Sequence, residues 1–152
     1  MKRYHNYKGS DVTVVICAYK QCPYLEDSIK AITSQTVQPN VLISTSTPNS
    51  YIQQLAEKYK IDVKINYKGG QIRDYNYAMR LCDTPLGMLA HQDDLLDKHY
   101  IERCLEEINK AKNPIIVCTN YMEMHNDIVD AKPSIMIQIK RMLIWPIRIN
   151  WL

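Results

Sequence analysis

The chain has 152 residues, 46% hydrophobic and 23% charged, and 19 basic against 16 acidic side chains leave a net charge of +3. This is the profile of an ordinary soluble globular domain with a core of its own. The charge is too mild to point to a nucleic-acid partner, and 4 glycines leave little room for a glycine-rich phosphate loop. Phe is absent while Tyr occurs 11 times, so the aromatic packing carries hydroxyls that need partners.

Cys17, Cys22, Cys82, Cys104 and Cys118 form no C-x-x-C pair. Cysteines in apolar strand and helix patterns behave as small hydrophobes, and neither a disulfide framework nor a zinc site is expected. No apolar run follows Met1-Lys2-Arg3-Tyr4-His5, so no signal peptide is expected. No uninterrupted apolar stretch reaches the ~18 residues of a spanning helix. The expected setting is a reducing cytoplasm.

In chain order, residues 1–10 are polar and loose. Val12 to Cys17 is a β-branched run that predicts a first strand buried on both faces. Pro23 suits a helix start, and Leu25, Ile29 and Ile32 recur at helical spacing, which predicts a first helix over 24–35. Val41-Leu42-Ile43 predicts the second strand. It runs into Ser44 to Asn49, where Thr47 is the expected cap of a helix starting at Pro48. Ile52, Leu55, Ala56 and Tyr59 mark that helix's buried face, and Ile61, Val63 and Ile65 alternate as a third strand.

Gly69-Gly70 is a turn into a third helix, with Ile72, Tyr75, Met79 and Cys82 expected inward. Asp83-Thr84-Pro85 ends it. Leu86 to Ala90 is the fourth strand. Asp97 is the expected cap of a fourth helix with Ile101, Cys104, Leu105 and Ile108 inward, and Ile115 to Cys118 is a fifth strand. The alternation predicts an α/β domain, a mostly parallel sheet with helices on both faces. From about Tyr121 the rhythm stops. From Ala131 onward Lys132, Lys140, Arg141 and Arg148 face no acidic residue, and the stretch 134–152 is Ile-rich. Two readings stay open. It packs on another part of the structure, or it lies as a peripheral contact on an anionic membrane, at the inner face, with Trp145 and Trp151 at the interface.

The fourth strand ends in an acidic corner, His91-Gln92-Asp93-Asp94. Ligands of open α/β sheets bind beyond the carboxyl ends of strands. Two carboxylates there, with an imidazole beside them, suit a hard divalent cation carrying phosphate.

The order VTVVICAYK, VLISTSTPN, GGQIRDYNYAM, LGMLAHQDD resembles the nucleotide-sugar-binding half of the family 2 glycosyltransferases. These have the GT-A fold, a Rossmann-like nucleotide-binding domain. The resemblance covers about residues 11–120, so 1–120 is expected to be that domain and 121–152 the start of an incomplete acceptor or membrane-contact region. It implies an enzyme that moves a sugar from a nucleotide-diphosphate sugar, a UDP-sugar first among them, to a saccharide or lipid-linked hydroxyl acceptor. Transfer would occur with inversion, in cell-surface polysaccharide synthesis.

The resemblance also implies site residues. Ala18 and Tyr19 border the nucleobase, where stacking is worth roughly 1–3 kcal/mol. Thr45 and Ser46 stand where the family often has an Asp for uracil, and a hydroxyl accepts more weakly than a carboxylate. Arg73 would meet the diphosphate, and Asp74 and Asn76 ribose or sugar hydroxyls. Asp93 matches the last Asp of the D-x-D signature that holds Mn²⁺ or Mg²⁺, with Gln92 beside it as a further donor contact. His91 stands in the place of the first Asp. It is a ligand, an outer group or a ribose contact, and imidazole suits Mn²⁺ better than Mg²⁺. Asp94 supports the loop or binds water on the metal.

The general base of inverting members lies well beyond the metal corner. Asp127 and Asp130 do not match its position, so no catalytic residue is assigned. The alternative is a non-catalytic nucleotide-sugar-binding fragment or partner subunit. A phospho-acceptor receiver lacks its acidic pair after the first strand here. A dinucleotide-binding Rossmann domain lacks its G-x-G-x-x-G.

Overall fold

The computed structural model describes residues 5–117 and, beyond them, 119, 121–125, 128, 129, 135, 138, 139 and 142. The contacts divide the chain into two units, Met1–Ile115 and Ile116–Leu152.

The first unit alternates strand and helix as expected. β1 (Val12–Ala18), α1 (Leu25–Thr33), β2 (Asn40–Thr45), α2 (Ser50–Tyr59) and β3 (Asp62–Ile65) follow one another. Then come α3 (Gln71–Arg80), β4 (Leu86–His91) and α4 (Tyr100–Lys110). The four strands form one parallel sheet in the order β3-β2-β1-β4. β1 lies between β2 and β4, with Ala18 beside Thr45 and Cys17 beside His91. The carboxyl ends of the three strands therefore share one rim. The chain winds outward from β1 to β3, then crosses back to β4, so the strand order reverses between β1 and β4. Parallel crossovers are right-handed, and the reversal puts helices on both faces of the sheet.

One face carries the main core. Val12, Val14, Ile16 and Ala18 of β1, Ile43 of β2 and Ala90 of β4 pack with Leu25, Ile29 and Ile32 of α1, Ile52, Leu55 and Ala56 of α2, and Ile101 and Leu105 of α4. α3 alone among the described helices lies against β1, β2 and β4 on the other face. It comes close because Gly87 has no side chain: a Cβ there would stand 2.9 Å from Cys82 Sγ.

Several expectations are corrected. Asn49, not Thr47, caps α2, its Oδ1 accepting from Ile52 N at 3.0 Å. Thr47 Oγ1 instead accepts from Lys20 N. His99 precedes α4, and Asp97 Oδ1 caps the turn before it by accepting from His99 N. The expected inward face of α3 holds at Cys82, which meets Thr13 and Gly87, and fails at Ile72. Ile72 (75% exposed) faces outward and Met79 is part-exposed with its tip against Gly87 of β4, while Ala78 is buried and Asp74 is bonded inward in the first turn. Ile115 to Val117 do not pair as a strand; Cys118 lies outside the described residues.

In the second unit β5 (Met124–His125) and β6 (Ile128–Val129) pair antiparallel. Asp127, Asp130, Trp145 and Trp151, and most of 134–152, lie outside the described residues. No helix among the described residues is long and apolar enough to cross a membrane.

Candidate functional site

β1 ends at Ala18, buried at 4% exposure. Beyond it Tyr19 stands half exposed with Lys20 Nζ 5.2 Å from its ring centroid. Lys20 has φ +56°, the left-handed region that a side chain disfavours. The dipeptide holds this shape because side chains from two other strand ends take its backbone groups. Tyr19 N donates to Gln92 Oε1 at 2.8 Å, and Gln92 Nε2 donates to Tyr19 O at 3.2 Å. Lys20 N donates to Thr47 Oγ1, and Asn49 Nδ2 donates to Lys20 O at 3.0 Å.

At the end of β2, Thr45 is turned inside at 2% exposure, and its Oγ1 accepts from Thr47 N. Ser46 Oγ donates to Asp74 Oδ2 at 2.8 Å, and Asn66 Nδ2 donates to Asp74 Oδ1 at 2.7 Å. One carboxylate thus ties β2, the end of β3 and the first turn of α3. Asp74 also acts below the rim. Burial first, then the nearby Asp74 and Cys82, pushes the Cys17 thiol up to about 11. Burial likewise raises Cys82. Both thiols are protonated and inert at neutral pH. Arg73 and Asn76 lie on the exposed side of α3 and make no hydrogen bond or ion pair among the described residues.

At the end of β4, His91 Nδ1 lies 3.4 Å from Tyr75 Oη, the rings edge to face, and Gln71 Nε2 donates to the same hydroxyl at 3.3 Å. The carbonyl of His91 accepts from Ser28 Oγ and from Asp94 N. The chain then turns at Gln92-Asp93. Asp93 and Asp94 are exposed, and neither carboxylate has a hydrogen bond or ion pair among the described residues. Tyr19 and Asp93 therefore flank the point where the strand order reverses, the place where open α/β sheets bind nucleotides.

A family model described as Glycosyl transferase family 2 matches residues 13–150. The chain belongs to glycosyl transferase family 2. No curated protein matches it significantly. Membership of this family carries glycosyltransferase chemistry in general, a nucleotide-sugar donor and an acceptor.

For a family 2 domain, the rim brings Tyr19, Gln92 and the Asp93 corner together across β1 and β4, and Ser46 and Asp74 together across β2 and α3. It keeps Arg73 and Asn76 apart from these bonds. The donor set at the corner fits a hard cation: two oxygen donors engaged by no other described side chain. Such ions commonly take one or two protein carboxylates and complete their shell with substrate phosphate. Among the described residues no three His, Cys, Asp or Glu side chains gather as a ligand set. A depression of about 490 Å³ lined by Tyr7, Glu102, Asn109 and Lys110 lies at the opposite, amino end of the strands. It holds none of the expected site residues.

The bonds from Gln92, Thr47 and Asn49 to the Tyr19-Lys20 backbone, and Asn66 as a partner of Asp74, were not legible in the sequence. Asn49 before a helix was the one available signal, and it marks a cap rather than a cross-link.

Proposed function

We propose that the rim binds a nucleoside-diphosphate sugar, UDP-linked first among the candidates, and that the protein transfers the sugar with inversion to a saccharide or lipid-linked hydroxyl in cell-surface polysaccharide synthesis. The observation that supports this reading is the placing of half-exposed Tyr19 and of Asp93, whose carboxylate has no hydrogen bond or ion pair among the described residues, on the two sides of the strand-order reversal.

In this reading the Tyr19 ring stacks on the base. Ser46 and Asp74 hold the edge of the site where the base and ribose lie, and Arg73 and Asn76 approach from α3. Asp93, with Asp94 or His91 beside it, holds Mn²⁺ or Mg²⁺. When bound, the cation neutralises charge on the departing nucleoside diphosphate.

Titration calorimetry with UDP and Mn²⁺ tests the reading. Wild-type protein should bind UDP in a metal-dependent way, and Asp93→Asn should weaken that binding at least tenfold without a change in Tm. Absence of metal-dependent nucleotide binding by the wild type would overturn it. His91→Asp should preserve or strengthen Mn²⁺-dependent binding if His91 is a ligand. Sugar-nucleotide binding without transfer or hydrolysis would favour the non-catalytic fragment or subunit instead.

A further inference from the structure

β1 and β4 pair in parallel up to Cys17 and His91. One residue later the β4 chain leaves the sheet, at the turn closed by Asp94 N and His91 O. The pairing nevertheless continues. The side-chain amide of Gln92 presents the acceptor and donor of a peptide group, and it takes both backbone groups of Tyr19, at 2.8 and 3.2 Å. Gln92 is held from its other side too, its carbonyl 4.0 Å from Cys22 Sγ. Its neighbour His91 is held through Ser28 Oγ at 3.0 Å. Asp93 follows directly on this anchored residue.

We propose that Gln92 is a positioning residue: it makes the Tyr19-Lys20 loop and the Asp93 corner one rigid unit, so that the base platform and the diphosphate end of the site keep a fixed separation. The inference rests on the functional reading above. Lys20 gives it a second support. A left-handed lysine persists only when its surroundings hold it there. Thr47 and Asn49 fix Lys20 from the β2 side, while Gln92 fixes Tyr19 from the β4 side. Without the Gln92 side chain the loop keeps its link to β2 and loses both bonds from Tyr19 to the corner, leaving only the long Cys22 Sγ contact to the residue-92 carbonyl. A ligand that bridges base and phosphate subsites gains from a preformed separation, because less ordering remains to be done on binding. A ligand that touches only the corner gains nothing from it. Gln92 therefore acts through Tyr19 and Asp93, since its amide oxygen and one of its N–H groups are already committed to the Tyr19 backbone.

The experiment compares wild type with Gln92→Ala by amide hydrogen exchange and by calorimetry, using Mn²⁺ with UDP and Mn²⁺ with pyrophosphate. In the ligand-free protein, the Tyr19 amide should exchange at least tenfold faster in Gln92→Ala. UDP binding should weaken about tenfold, and pyrophosphate binding less than twofold. Gln92→Glu keeps the acceptor for Tyr19 N and loses the donor for Tyr19 O. It should fall between the two, and it carries the test if the alanine variant does not fold. Equal losses for UDP and pyrophosphate, or unchanged exchange at Tyr19, would overturn the proposal. So would a fall in Tyr19 protection when UDP is added to wild type, because Gln92 would then leave Tyr19 for the ligand. A wild type that binds neither probe removes the functional reading, and this inference with it.

Discussion

On one face of the sheet Val14, Ile16 and Ile43 meet α1, α2 and α4 mainly through aliphatic side chains without measurable exposure, with Ser28 Oγ bonded to His91 O and Gln35 tying the end of α1 to the start of α4 as the buried polar links. On the other face Thr13, Cys17 and Ser44 meet a single helix, α3, whose inward residues are Asp74, Ala78 and the nearby Cys82. That side is joined by polar contacts: Thr13 Oγ1 to Thr84 Oγ1 at 2.7 Å, Ser46 to Asp74, and Asn66 to Asp74. Apolar burial is non-directional and tolerates repacking, whereas hydrogen-bonded groups fix positions. The first face thus supplies cohesion. The second fixes where the start of α3 stands relative to the rim, which is where Arg73, Tyr75 and Asn76 are carried.

Three changes would break or sharpen that contrast. The largest effect belongs to the apolar face. Ile29 is completely buried, and Ile29→Ala should cost about 2–5 kcal/mol in urea denaturation, through lost burial and the cavity left behind. Nucleotide affinity at low denaturant should stay within twofold. A loss under about 1 kcal/mol would show that this face does not carry the core.

The middle effect belongs to the polar face. Asp74→Ala leaves Ser46 Oγ and Asn66 Nδ2 without their acceptor and should cost about 1–3 kcal/mol. Unlike Ile29→Ala, it should also weaken UDP binding several-fold, because the first turn of α3 loses its anchor. Equal ratios of stability loss to affinity loss in the two variants would erase the distinction between the faces.

The smallest effect is a pH dependence. The Cys17 pKa rises on folding from 9.0 to about 11, so its contribution to stability is intact below pH 9 and is lost as pH climbs toward 11. Between pH 8 and 10 wild type should lose about 1 kcal/mol more than Cys17→Ala, read from parallel denaturation curves. At pH 8, with the protein folded, iodoacetamide should modify Cys17 more slowly than an unfolded control. A Cys17→Ala profile that matches wild type at every pH would remove the thiol from the account.

Within the first unit the strands and helices were legible in order and type because their apolar residues recur at the periods of strand and helix, and hydrophobic burial needs only that pattern. The failures share one cause. Ile72 looked inward by spacing, but the orientation of α3 follows the carboxylate of Asp74, whose partners come from 28 residues earlier at Ser46 and 8 earlier at Asn66. Ile115 to Val117 have strand composition, yet a strand exists only where a neighbour takes its backbone groups. Thr47 looked like a cap and became a partner of Lys20, while Asn49 took the cap.

The sequence by itself determined the alternating α/β order, the buried character of β1 and the acidic corner after β4, all carried by residues close together in the chain. The family match over residues 13–150 agrees with the motif order read there. Only the tertiary structure decided that Gln92 faces Tyr19 and that Asp74 gathers Ser46 and Asn66. Gln92 and Tyr19 lie 73 residues apart. Such bonds depend on the register of strands brought side by side, and no local period records that register.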